Sequence, residues 1–223
     1  MPQEWLEHLQ RLSWNTPITL TLASAAVGSV TTLAWISARD FRDGRRQRRN
    51  TALELALSLE SYARTCRTMM HKAAWAAAEP VVMSREASKG VSIPVFAYPD
   101  RLQWHVLGRK VISELREYPA TVHAAREHVE AFREFGEPVD ICGQVECECA
   151  KAAMSALALA RATRRRHGVT KWKPGAKDSA MERELSDFIA NAEEKRKASL
   201  ERRTESTVER RSDAQPFNQP LSA

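Results

Sequence analysis

Residues 18 to 38, ITLTLASAAVGSVTTLAWISA, carry no charge and lead directly into residues 39 to 50, RDFRDGRRQRRN. A helix of 21 residues is about 31 Å long at ~1.5 Å per residue, which matches the hydrocarbon core of a bilayer. The run holds seven Ile, Leu and Val residues, each favouring insertion by roughly 0.3–0.6 kcal/mol. Its seven Ser and Thr residues oppose that gain. This pattern predicts a single transmembrane helix over 18–38. A buried helix in a soluble protein normally shows polar groups on one face, whereas only hydroxyls interrupt this run. A cleaved signal sequence needs a basic start and a short apolar core, but Glu4 and Glu7 accompany a single arginine here.

Trp14 and Trp35 would place their amphipathic rings near the two interfaces of one bilayer. Arg39, Arg42, Arg45, Arg46, Arg48 and Arg49 follow the span, while residues 1–38 carry a net charge of −1. Positive charge favours the cytoplasmic side, so the N-terminus is expected outside and the remainder of the chain in the cytoplasm. The same arginines suit anionic headgroups. Ser24, Gly28 and Thr32 form a face of small residues on which a second copy or another membrane protein can pack. Upstream, residues 1–17 read as an interfacial segment with Trp5, Leu6, Leu9 and Leu12 on its apolar side.

Eight Gly and ten Pro in 223 residues are too few for a strand-and-turn fold, so the expected class is all-α, with the membrane helix followed by a small helical bundle and a charged, partly disordered tail. After the basic juxtamembrane segment 39–50, a helical domain is expected over 51–167. Thr51 and Glu54 have capping-box spacing. Leu55, Leu59, Tyr62, Cys66, Met69, Ala73 and Ala76 form an apolar seam that ends before Pro80. Gly90, Pro94 and Pro99 mark a loop that would pack Val95 and Phe96 onto the helices. Asp100 is expected to open a helix bearing Trp104, Leu107, Val111 and Leu115, and Pro119 to begin another bearing Val122, Ala125, Val129 and Phe132, closed by Gly136. A further helix, 139–167, turns Ile141, Val145, Cys149, Ala152, Ala156 and Leu159 inward. In this reading Arg164, Arg165 and Arg166 serve the negative end of its dipole and Gly168 ends it. Residues 168–203 read as a linker and a charged helix, with Ser179 and Glu182 as a second capping box ahead of Met181, Leu185, Phe188 and Ile189. Residues 204–223 read as disordered.

The net charge of +6 is concentrated in residues 39–50, which contribute +4, while residues 51–138 are neutral. Duplex binding needs a local cation surplus on the folded domain, so neither nucleic acid nor a helix-turn-helix is expected. Cys142, Cys147 and Cys149 lack the two-residue knuckle of a zinc site, and they read as free thiols. His71, His105, His123, His128 and His167 stand at no recurring catalytic spacing, and no phosphate loop, nucleophile elbow or dinucleotide fingerprint occurs. No catalytic residue, metal or cofactor is therefore expected.

The stretch from Phe96 to Phe132, with Tyr98-Pro99-Asp100, Trp104, Leu107, Leu115, Pro119, Val122 and Ala125, resembles a segment of uncharacterised bacterial single-pass membrane proteins that carry a cytoplasmic helical domain. Gln103 and Ala120 stand where those proteins usually have acidic and Asn residues. The resemblance implies a bacterial inner-membrane protein with no assigned activity. The expected role is that of a membrane-anchored interaction or scaffold protein. Two alternatives are a soluble helical protein that binds nucleic acid or an acidic partner, and a membrane-tethered enzyme without a recognisable motif.

Overall fold

The computed structural model describes the backbone of residues 17–79 and 86–213, and the side chains of 28–79, 86–109, 111–199 and 201–202. The described residues are mostly helical, with no strand among them. Four long helices follow one another: α1 (Pro17–Ala78), α2 (Arg109–Arg133), α3 (Pro138–Arg166) and α4 (Met181–Asp213). The chain divides into two compact units at the boundary between Arg49 and Asn50. Among the described residues no helix is long and apolar enough to cross a membrane.

The first unit contains the beginning of α1. Arginines are good helix formers and Gly44 stands alone among them, so the helix runs unbroken through the basic block and past Thr51. The expected helix start at Thr51 is therefore replaced by a mid-helix position, where backbone amides already have partners and a cap has nothing to satisfy.

In the second unit one apolar core joins all four helices. From α1 it takes Leu55, Leu59, Tyr62, Cys66, Ala73 and Ala76, as the seam predicts, together with Ala52, Ala56, Ala63 and Met70. Met69 is only partly buried. Helix α3 packs against α2 and α4. It contributes Val145, Cys149 and Ala156 as expected, plus Cys142, Ala153, Leu157 and Ala160; Ile141 is buried outside that cluster, and Ala152 and Leu159 are half-buried. Met181 and Leu185 anchor α4.

The segment after Gly90 is extended with no strand beside it, so its buried carbonyls need side-chain donors. Those donors come from α1 and α2. Lys72 Nζ donates to Gly90 O at 2.9 Å, Arg126 Nε to Ile93 O at 3.0 Å and Tyr62 Oη to Pro94 O at 3.0 Å. Arg133 donates to Ser88 O and Val91 O at 3.0 and 2.8 Å. Val91, Ile93 and Phe96 are buried, but Val95 is 68% exposed. This corrects the expectation for Val95: the inward alternation shifts at Pro94, whose carbonyl is tied to Tyr62. Phe96 then meets Tyr98 and Tyr118 edge-to-face and Tyr62 at a tilt, with ring centroids 4.7, 5.1 and 4.8 Å away.

Two expected helix starts also change. Asp100 opens no long helix; a single 3-10 turn, Trp104–Val106, precedes Gly108, and α2 begins at Arg109. Pro119 lies inside α2 instead of starting a helix. A proline there leaves the carbonyl four residues earlier, on Leu115, without its amide. The Tyr98 hydroxyl fills that vacancy, donating to Leu115 O at 2.8 Å. Tyr118 is turned into the core and donates to Ala152 O of α3 at 2.8 Å. Burial pushes all three tyrosine phenols well above their ordinary range.

The helix ends obey different rules. Gly168 has φ 63°, and Val169 N–H donates to Arg164 O at 2.9 Å, a Schellman closure. Gly136 has no positive φ; a Cβ there would lie 2.9 Å from Phe132 O and 2.8 Å from its ring. Close approach, not left-handed backbone, is what requires glycine at that turn. Ser179 donates to Ala176 O instead of capping α4, and the α4 backbone continues to Asp213, beyond the expected break at Thr204. Residues 214–223 of the expected tail lie outside the described residues.

Tyr98→Phe should lower stability by about 1–3 kcal/mol by leaving the Leu115 carbonyl unpaired. With Pro119→Ala also present the amide returns, and the cost of Tyr98→Phe should shrink by at least about 1 kcal/mol. Urea titrations of the four chains, followed by circular dichroism, close this cycle.

Candidate functional site

In the first unit, every residue from Gly28 to Asp43 is exposed. Trp35 is 71% exposed, and Val30, Leu33, Ile36 and Phe41 are uncovered as well. The hydroxyls of Thr31 and Thr32 both donate to Gly28 O, at 2.9 and 2.8 Å. Side-chain hydroxyls that bond the preceding turn of their own helix need no water. A Cβ on Gly28 would touch nothing within 4 Å, so among the described residues nothing packs on that part of the small-residue face. Trp14 and the Ser24 side chain lie outside the described residues.

Arg39, Arg42, Arg45, Arg46, Arg48 and Arg49 are all exposed on α1. Arg39, Arg42, Arg46 and Arg49 fall three, four and three residues apart and so share one face of the helix. An Arg39–Asp43 contact at 3.8 Å is open to solvent on both sides and contributes little.

The second unit contains a feature that the sequence reading did not assign. Glu60 on α1 is 1% exposed and Arg164 on α3 is 6% exposed. Arg164 Nε donates to Glu60 Oε1 at 2.7 Å and Nη2 to Oε2 at 2.9 Å, a two-pronged pair. Its Nη1 donates to Thr170 O at 2.9 Å. The Gly168 turn makes this last bond possible by folding the chain back over the end of α3. Arg164 is therefore a core residue and not a solvated partner of the helix dipole. A signal for this was present: Glu60 falls four residues after Ala56 and three before Ala63, and Arg164 four after Ala160, so both charges interrupt apolar stripes.

Above this pair lies a cavity of about 530 Å³. Leu157, Val169, Trp172 and Pro174 supply its apolar surface, and Arg161, Arg165, Lys171, Asp178 and Glu182 its polar one. Arg161 pairs with Glu182. Arg64 donates to Asp178 at 2.8 Å and stands 5.7 Å over the Trp172 ring. Deeper along α1, Arg67 and His71 both reach the Glu184 carboxylate, at 2.6 and 2.7 Å, which fixes the start of α4.

The four cysteines are free thiols. Cys149 is held well above its usual thiol range by a hydrogen bond with Cys66 and by burial, and burial also pushes Cys142 up. At Cys142 and Cys149 this disfavours the thiolate that nucleophilic chemistry requires, whereas the hydrogen bond with Cys149 lowers Cys66, which is itself buried. Among the described residues no three His, Cys, Asp or Glu side chains are grouped so as to hold a metal ion. No protein-family model, no curated protein and no solved structure matches the chain.

Arg164→Met should cost about 3–5 kcal/mol, because it strands a buried carboxylate. Adding Glu60→Leu should recover most of that loss, since the stranded charge is then removed as well. Chemical denaturation of the single and double variants measures both effects, and a double variant no more stable than Arg164→Met would contradict the assignment.

Proposed function

We propose that this all-α protein is anchored in the bacterial inner membrane by the helical segment 18–38, with its N-terminus outside and residues from 51 onward in the cytoplasm, and that it acts through contacts with partners and not through catalysis. The observation that carries the reading is the exposure of Val30, Leu33, Trp35 and Ile36 on a helix with no charge before Arg39. Covering an apolar side chain of this size is worth roughly 1.5–3 kcal/mol, and acyl chains would supply the cover. Hydroxyls bonded to the Gly28 carbonyl fit such a setting, because a bilayer core offers no water to satisfy them. The arginine block would then set orientation and meet anionic headgroups.

A second reading is favoured by the arginines that share one helix face: a soluble helical protein whose α1 docks on an acidic partner or on nucleic acid. Alkaline carbonate extraction of membranes distinguishes the two. The membrane reading predicts that the full chain stays in the pellet, and release into the supernatant would overturn it in favour of the second. For a chain that stays in the pellet, Arg45, Arg46, Arg48 and Arg49→Glu reverses residues 39–50 from +4 to −4. Impermeant labelling of an introduced Gln3→Cys should then show mixed orientation.

A further inference from the structure

We propose that the cavity above the Glu60–Arg164 pair is a binding site for small organic anions with an aromatic or alkyl body. In this assignment the anionic group sits between Arg165 and Lys171 and the body lies against Leu157, Val169 and Trp172. The volume of about 530 Å³ falls within the range of small-molecule sites, which join apolar walls to a few convergent polar groups.

The sign of the ligand's charge follows from which cavity charges are already answered. Each acid lining the space has its own arginine: Glu60 has Arg164, Asp178 has Arg64 and Glu182 has Arg161. Arg165 and Lys171 also line the cavity, and neither forms an ion pair with any described residue. The surplus that a ligand meets is therefore cationic. The buried pair beneath adds no net charge, since both Glu60 oxygens are engaged by one guanidinium.

An anion at the end of a helix normally meets exposed carbonyls, which repel it. Here the closure at Gly168 engages one of them, with Val169 N–H donating to Arg164 O. The indole of Trp172 is half-buried and held by Arg64, so an apolar wall is already in place before any ligand arrives. Both rim cations are exposed to water, which limits what each contributes and sets the scale of the expected effects.

The probe is 2-naphthoate, with the uncharged 2-naphthamide as its isostere, titrated into the full chain and followed by calorimetry. The chain is used in nanodiscs against protein-free nanodiscs if carbonate leaves it in the membrane, and in buffer if carbonate releases it. Saturable binding of one naphthoate per chain is expected, with naphthamide about tenfold weaker, a difference of about 1.4 kcal/mol. Arg165→Gln combined with Lys171→Gln should weaken naphthoate about tenfold and leave naphthamide within about twofold. Unchanged circular dichroism would show that this variant is folded. The absence of saturable naphthoate binding, equal affinity for the two probes, or a double variant that binds naphthoate as the natural chain does would each overturn the assignment.

Discussion

A carboxylate on the apolar stripe of α1 can be kept in the core only if a cation meets it there, and Arg164 does so with two hydrogen bonds to Glu60. Much of the second unit's architecture follows from this requirement. Arg164 can reach Glu60 only if the last turn of α3 comes close to the second-unit part of α1. Its remaining donor group is then satisfied only if the chain reverses at Gly168 and returns Thr170 to it. The linker that results closes one side of the cavity, and Asp178 and Glu184 tie the approach to α4 back onto Arg64, Arg67 and His71. Buried pairs of this kind add little net stability relative to apolar residues. Their effect is to penalise any arrangement in which the two charges do not meet.

A second constraint acts on the stretch between α1 and α2. Extended backbone inside a helical unit has carbonyls with no strand to pair with, and α1 and α2 answer with Lys72, Tyr62, Arg126 and Arg133. Pro119 raises the same problem within a helix, and Tyr98, from the extended stretch, resolves it. The three tyrosines of the chain thus connect α1 to the extended stretch, that stretch to α2, and α2 to α3. Tyr62 and Tyr98 give their hydroxyls to carbonyls that the local fold leaves without a donor, while Tyr118 adds a side-chain bond to a carbonyl within α3.

The helical class, the seam of α1, the inner face of α3 and the Gly168 stop were legible in the sequence, because periodicity and glycine chemistry are local properties. What was not legible depended on partners distant in the chain. Pro119 looked like a helix start because its missing amide has no local remedy; the remedy is Tyr98, which lies 17 positions before the Leu115 carbonyl it serves. Arg164 looked like a solvated end charge because its partner lies 104 positions away. Thr51 had the residue spacing of a cap, but only the continuity of α1 decides whether there are free amides to cap. The cavity was invisible for the same reason: Glu60, Leu157 and Trp172 come together only when helix ends and a linker converge.

The second unit has a buried apolar core of its own, whereas Val30, Leu33 and Ile36 in the first lie on a stretch where every described side chain from Gly28 to Asp43 is exposed, and the account assigns their cover to lipid. Power-saturation electron paramagnetic resonance tests this directly. A nitroxide would be placed at Leu33, with the half-buried Cys147 replaced by serine, and the chain reconstituted in lipid vesicles. The account predicts that collisions with oxygen exceed those with a water-soluble nickel chelate at Leu33, with the order reversed for a label at Arg46. Chelate collisions dominating at Leu33 would show that this surface faces water, and would contradict the assignment of lipid as its cover.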